Sequence, residues 1–87
     1  GSRLASFRQQ FVTLLVDATA ADLRNASGRP LTKAQRRVLT TLFENTARML
    51  VAILGSDASE ADVVAAFAGF WSYQLAGLAG FKEWVLA

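Results

Sequence analysis

From Val63 to Phe81 the chain runs nineteen residues without one charged side chain. No two-residue alternation runs through this stretch, so it reads as helix rather than strand. A helix at the surface of a soluble domain carries a polar face, and this one has none. Placing Phe67 at the centre of a helical wheel gathers Val63, Val64, Phe70, Trp71, Leu78 and Phe81 around it as a bulky face. The reverse face holds Ala65, Gly69, Ser72, Ala76, Ala79 and Gly80, all small. The bulky face is expected to fill a core, and the small face to let a second backbone approach closely.

Three readings compete for the small face. It can be an Ala-rich solvent surface, although solvent faces usually carry Lys and Glu, and none occurs there before Glu83. It can be a helix–helix interface in an oligomer, the reading preferred here. Or the segment can span a membrane: nineteen residues reach the roughly 18-residue threshold, and the small-xxx-small spacing of Ser72, Ala76 and Gly80 recurs in membrane helix pairs. Three Gly, Ser72, Tyr73 and Gln74 dilute its hydrophobicity and disfavour a span. The expected interface set is therefore Ala65, Gly69, Ser72, Tyr73, Ala76 and Gly80. Gln74 falls inside the bulky face. Leaving a buried amide unpaired costs on the order of 1–3 kcal/mol, so Gln74 is expected to be a hydrogen-bonded core or interface residue, a register-setting contact between chains, or a ligand contact.

Hydrophobic residues make up 53% of the chain and charged residues 18%, the latter below the roughly 25% of ordinary domains. Eighty-seven residues form a single domain with a small interior, so the surplus apolar surface calls for a partner chain or a membrane.

Two further helices precede the uncharged one. The first is expected over residues 4–25, with a main apolar stripe of Leu4, Phe7, Phe11, Leu14, Leu15 and Ala18. A second stripe of Ala5, Val12, Val16 and Leu23 lies further round, and Val12 and Val16 join the expected interface. Gly28 and Pro30 end the helix, the first by accepting positive φ and the second by breaking the pattern. The second helix, over 32–54, opens on Thr32-Lys33-Ala34-Gln35, a capping box, and carries Leu39, Leu42, Phe43, Met49, Leu50, Ile53 and Leu54. Gly55 caps it, residues 56–59 turn, and the third helix runs over 59–86 from a Ser59 cap. The fold class is thus all-α: a three-helix up-down-up bundle of residues 3–87, completed by packing against a second chain. Gly1-Ser2 reads as a scar of tag removal.

Charge is unevenly placed. Residues 1–56 hold eight basic and three acidic side chains, residues 57–87 one and four. Arg29, Lys33, Arg36 and Arg37 gather at the start of the second helix, where cations oppose the helix dipole. The ordinary reading is a solvated basic end; the functional one is a site for an anion or an acidic partner, since helix N-termini bind anions. Nucleic acid is disfavoured: the basic set is small and no aromatic is interleaved with it.

Catalysis finds no footing. The chain has no His and no Cys, which removes the commonest general base, thiolate chemistry and disulfides. Asp17 and Asp22 point different ways, and Asp57, Glu60 and Asp62 are explained as helix-start charges. No enzyme activity, cofactor or metal is expected, and a cytoplasmic setting is. Two segments, Leu23–Leu31 (LRNASGRPL) and Ser72–Glu83 (SYQLAGLAGFKE), resemble parts of the helical N-terminal domains of bacterial stress-response phosphatases. That resemblance implies a domain that dimerises and receives a protein partner; it assigns no site residue. The expected function is therefore non-catalytic: oligomerisation or protein–protein interaction within a larger, bacterial regulatory protein, foremost as a homodimer. The alternatives are a small-molecule sensor with an apolar pocket between helices and a membrane-associated helical element.

Overall fold

The computed structural model of the chain describes every residue except Gly1 and Ser56, and every side chain among the rest except those of Ser2 and Leu4. The readings that place Leu4 in the apolar stripe, Ser56 in the second turn and Gly1-Ser2 in a scar fall outside the described residues. The chain is all-α: α1 spans Ser2–Ser27, α2 Lys33–Leu54 and α3 Glu60–Leu86, with no strand among the described residues. Each helix packs on the other two, α1 on α3 least. The arrangement is a three-helix bundle.

Local chemistry sets the helix ends. Arg24 O accepts from the Gly28 amide at 2.8 Å, and Gly28 turns the chain out of α1 at φ 77°, a conformation that costs glycine least. Thr32 Oγ1 accepts from the Gln35 amide at 3.1 Å while Gln35 Oε1 accepts from the Thr32 amide at 3.0 Å, so the capping box satisfies two otherwise free donors. Ser59 Oγ accepts from the Asp62 amide at 3.3 Å, and Glu60 and Asp62 lie in the first turn of α3, where negative charge suits the dipole. Gly55 closes α2 with φ −88°, its amide donating to the carbonyls of Ile53 and Val51.

The core gathers Val12, Val16 and Leu23 from α1, Leu39 and Ala47 from α2, and Phe81 and Val85 from α3. Leu31 and Phe43 pack against it. Leu39 is fully buried, which alone contributes about 1.5–3 kcal/mol. The end of α1, the start of α2 and the end of α3 meet here, as an up-down-up path requires. The Arg29 guanidinium ties the same pole together by donating to the Val85 carbonyl at 3.1 Å.

This core reverses the reading of α1. Its main stripe was expected to face inward; instead Phe7, Phe11 and Leu14 are exposed and Leu15 is half-buried, while Val12, Val16 and Leu23 of the second stripe are buried and Ala5 is not. Phe11 and Val16 lie about 140° apart round the helix at roughly 100° per residue. The physical reason is space. Short branched Val12 and Val16 let α2 come close, whereas two Phe rings would hold it away from Leu39. α2 is corrected less: Leu39 is buried and Phe43, Leu50 and Ile53 half-buried, but Leu42, Met49 and Leu54 remain exposed.

The molecule is flat, with extents of 45 × 30 × 17 Å, and its radius of gyration is 14.8 Å. A compact domain of this length has a radius near 12 Å. Its accessible surface is 6353 Å², against about 5,000 Å² for a compact monomer of the same mass.

Candidate interaction surface

α3 presents one row to the core. Phe70, Phe81 and Val85 are buried, and Val63, Phe67, Gln74 and Leu78 half-buried. The spacing of this row, in steps of three or four residues, is that of a single helical stripe. Beside it, Val64, Trp71 and Leu75 stand exposed, Trp71 at 52% and Leu75 at 64%. The expected bulky face is thus covered over only part of its width. One neighbouring helix cannot shield Phe70 and the outer flank together. Phe70 meets Phe67 and Trp71 edge-on, with centroids 6.0 and 5.5 Å away, so an aromatic chain leads from a buried ring to an exposed one.

The expected interface residues divide between the two sides of the fold. Ala65, Gly69, Ser72, Tyr73, Ala76 and Gly80 are all exposed on α3, and a Cβ added at Gly69 or Gly80 would meet nothing within 4 Å. Ser72 Oγ donates to the Ala68 carbonyl of its own helix at 3.1 Å. Val12 and Val16 do not belong with them. They are 5% and 2% exposed in the chain's own core and present nothing to a partner. Phe7, Phe11 and Leu14, which the expected interface left out, are exposed, Phe7 and Leu14 at 66% each. Their periodicity was visible; which of two stripes the chain buries was not.

Gln74 is occupied within the chain. Its Oε1 lies 2.6 Å from Thr46 Oγ1, and its Nε2 lies 3.8 Å from the Met49 sulfur. Thr46 is buried and its hydroxyl also lies 3.0 Å from the Leu42 carbonyl. A hydroxyl has one proton, so it donates to one of these oxygens at a time. Gln74 therefore pins α3 to α2 rather than reaching toward a ligand or another chain.

The basic cluster is likewise partly spent inside the fold. Arg29 caps the last turn of α3 through the Val85 carbonyl, a group left free at any helix C-terminus. Arg36 pairs with Asp17 across α1 and α2, both side chains about half exposed. Lys33 and Arg37 remain at the surface. All four residues are exposed, with two of them already engaged within the chain.

A groove of about 390 Å³ opens between α1 and α2, lined by Ala5, Arg8, Gln9, Val12, Thr13, Thr40, Glu44 and Arg48. Six of its eight lining side chains are polar or charged, where the pocket of a small-molecule sensor is lined predominantly by apolar ones. Among the described residues no three His, Cys, Asp or Glu side chains gather as a metal site. The surface that distinguishes this chain is apolar and convex: the α1 stripe and the uncovered sides of α3. Compared with protein-family models, curated proteins and solved structures, the chain matches none of them.

Proposed function

We propose that this chain is a non-catalytic oligomerisation and interaction domain, part of a larger regulatory protein, whose foremost partner is a copy of itself. The carrying observation is the surface left open. The accessible area of 6353 Å² exceeds that of a compact monomer of this mass by about 1,300 Å². A standard interface buries about 800 Å² per partner, and obligate homodimers more. The exposed side chains are those that interfaces favour: Phe7, Phe11, Trp71, Tyr73 and Trp84 stand at the surface, and aromatic residues are enriched where chains meet. Large apolar side chains left open together in this way mark surfaces where another molecule docks. Sedimentation equilibrium of the 87-residue chain at tens of micromolar is expected to give the mass of a dimer. The mass of a monomer across that range overturns self-association as its role.

A second reading has its own observation. α3 contains an 18-residue window of mean hydropathy 1.3, of which 6% is buried, so it is long and apolar enough to cross a membrane. Against insertion stands the core row of α3, whose Phe70, Phe81 and Val85 are already covered by protein. Flotation with neutral lipid vesicles separates the two: comigration with lipid supports the membrane, and recovery at the bottom of the gradient supports a protein partner.

A further inference from the structure

We infer that the outward stripe of α1 is the self-docking surface, and that it seats against the same stripe of a second copy in an antiparallel, two-fold pair. This rests on the reading above that another chain covers the exposed apolar surface, and it specifies which surface and in what orientation.

Phe7, Phe11 and Leu14 follow one another at steps of four and three residues, the spacing of one helical ridge. Ala18, also exposed, continues it. The ridge lies on the side of α1 opposite the core residues Val12, Val16 and Leu23, so a partner can cover it without disturbing the fold. The total exposed surface leaves room for such a pair. The chain exposes about 1,300 Å² more than a compact monomer, enough for a standard share of about 800 Å².

Charge fixes the direction. Near the stripe, Arg3 and Arg8 flank its N-terminal half, and Asp17 and Asp22 its C-terminal half. On the helical wheel, Arg8 and Asp22 fall on one flank, Arg3 and Asp17 on the other. Arg24 falls only about 20° beyond Asp17 at roughly 100° per residue and offsets that carboxylate, so the Arg8–Asp22 flank carries the direction. A two-fold antiparallel pair brings like flanks together with their directions reversed. That flank then sets Arg8 of one copy toward Asp22 of the other; a parallel pair would set Arg8 against Arg3. Arg8 also borders the groove that holds Glu44 and Arg48, and Asp17 already pairs with Arg36. These flank charges are exposed and guide orientation more than affinity. Shape agrees with charge. Setting Phe11 beside the partner's Leu14 places Phe7 beside the partner's Ala18, large against small, on both sides of the axis.

The chain contains no Cys, so single cysteines report proximity cleanly. In the antiparallel register, two copies of residue 11 lie close to the axis. Two copies of residue 7 stand about 16 Å apart along the helix direction at 1.5 Å per residue, beyond the roughly 7 Å Cα limit for a disulfide. Phe11→Cys is expected to cross-link to a covalent dimer under mild oxidation. Phe7→Cys alone should not, but a mixture of Phe7→Cys and Ala18→Cys should. Cross-linking of Phe7→Cys as efficient as that of Phe11→Cys overturns the antiparallel pair. In parallel, Phe7→Glu and Leu14→Glu, both at exposed positions, are expected to weaken the dimer at least tenfold while far-UV circular dichroism keeps its helical signal. A dimer unmoved by these changes but broken by Ala76→Leu moves the interface to α3, overturning this inference and leaving the interaction reading intact. Monomers in every sample, the unaltered chain included, overturn both.

Discussion

Arg29 shows how little a residue's type says about its use. It sits among basic neighbours in a loop, yet its guanidinium closes a contact across 56 positions by donating to the Val85 carbonyl. A cation at a helix C-terminus meets unsatisfied carbonyls and the negative end of the dipole. Arg29→Met should therefore fray the last turn of α3, seen as faster amide exchange over residues 82–86 with exchange in α2 little changed. Thr32→Ala removes one half of the capping box and is expected to cost about 0.5–2 kcal/mol, read as a lower denaturant midpoint. Leu39→Ala empties the largest fully buried side chain among the described residues and should cost about 2–5 kcal/mol, leaving a loosened, less cooperative unfolding transition.

At the scale of the element, α3 holds glycines that nothing in its packing demands. A Cβ at Gly77 would meet no atom within 4 Å, and its φ is not positive. Gly within a helix costs roughly 0.5–1 kcal/mol relative to Ala, so Gly77→Ala should raise the thermal midpoint by a few degrees. Gly28→Ala should do the reverse, because φ 77° strains a residue with a Cβ. Much about the elements was legible in the sequence. The caps at Thr32 and Ser59, the stop at Gly28 and the existence of all three helices follow from local chemistry, which acts within four residues and leaves a clear pattern. The burial of α1 was not legible. Two apolar stripes share that helix, and periodicity marks a stripe as covered without saying whether its own chain or another covers it. Bulk pointed to Phe7, Phe11 and Leu14; close approach to Leu39 required Val12 and Val16. Gln74 was legible as a residue needing partners, but its partner Thr46 lies 28 positions away on another helix, and no local pattern joins them.

For the whole molecule, self-association makes folding stability depend on concentration, since a partner that binds only the folded chain shifts the equilibrium by mass action. The thermal midpoint of the unaltered chain should climb as its concentration rises from one to a hundred micromolar, while that of Leu14→Glu should stay flat. A midpoint of the unaltered chain that ignores dilution would count against an obligate pair. The core has one more property with a bearing outside the test tube. Its cluster closes on Phe81 and Val85, so the groups that α1 and α2 must bury against are the last of this segment to be synthesised. A ribosome that has made only the first two helices has released Val12, Val16 and Leu39 with nothing from α3 to shelter them. On a growing chain the outward Phe7–Leu14 ridge and these core residues are open at the same time, and neighbouring nascent chains on one message can meet through either. Slowing synthesis between α2 and α3 would lengthen that interval and favour wrong pairings over right ones.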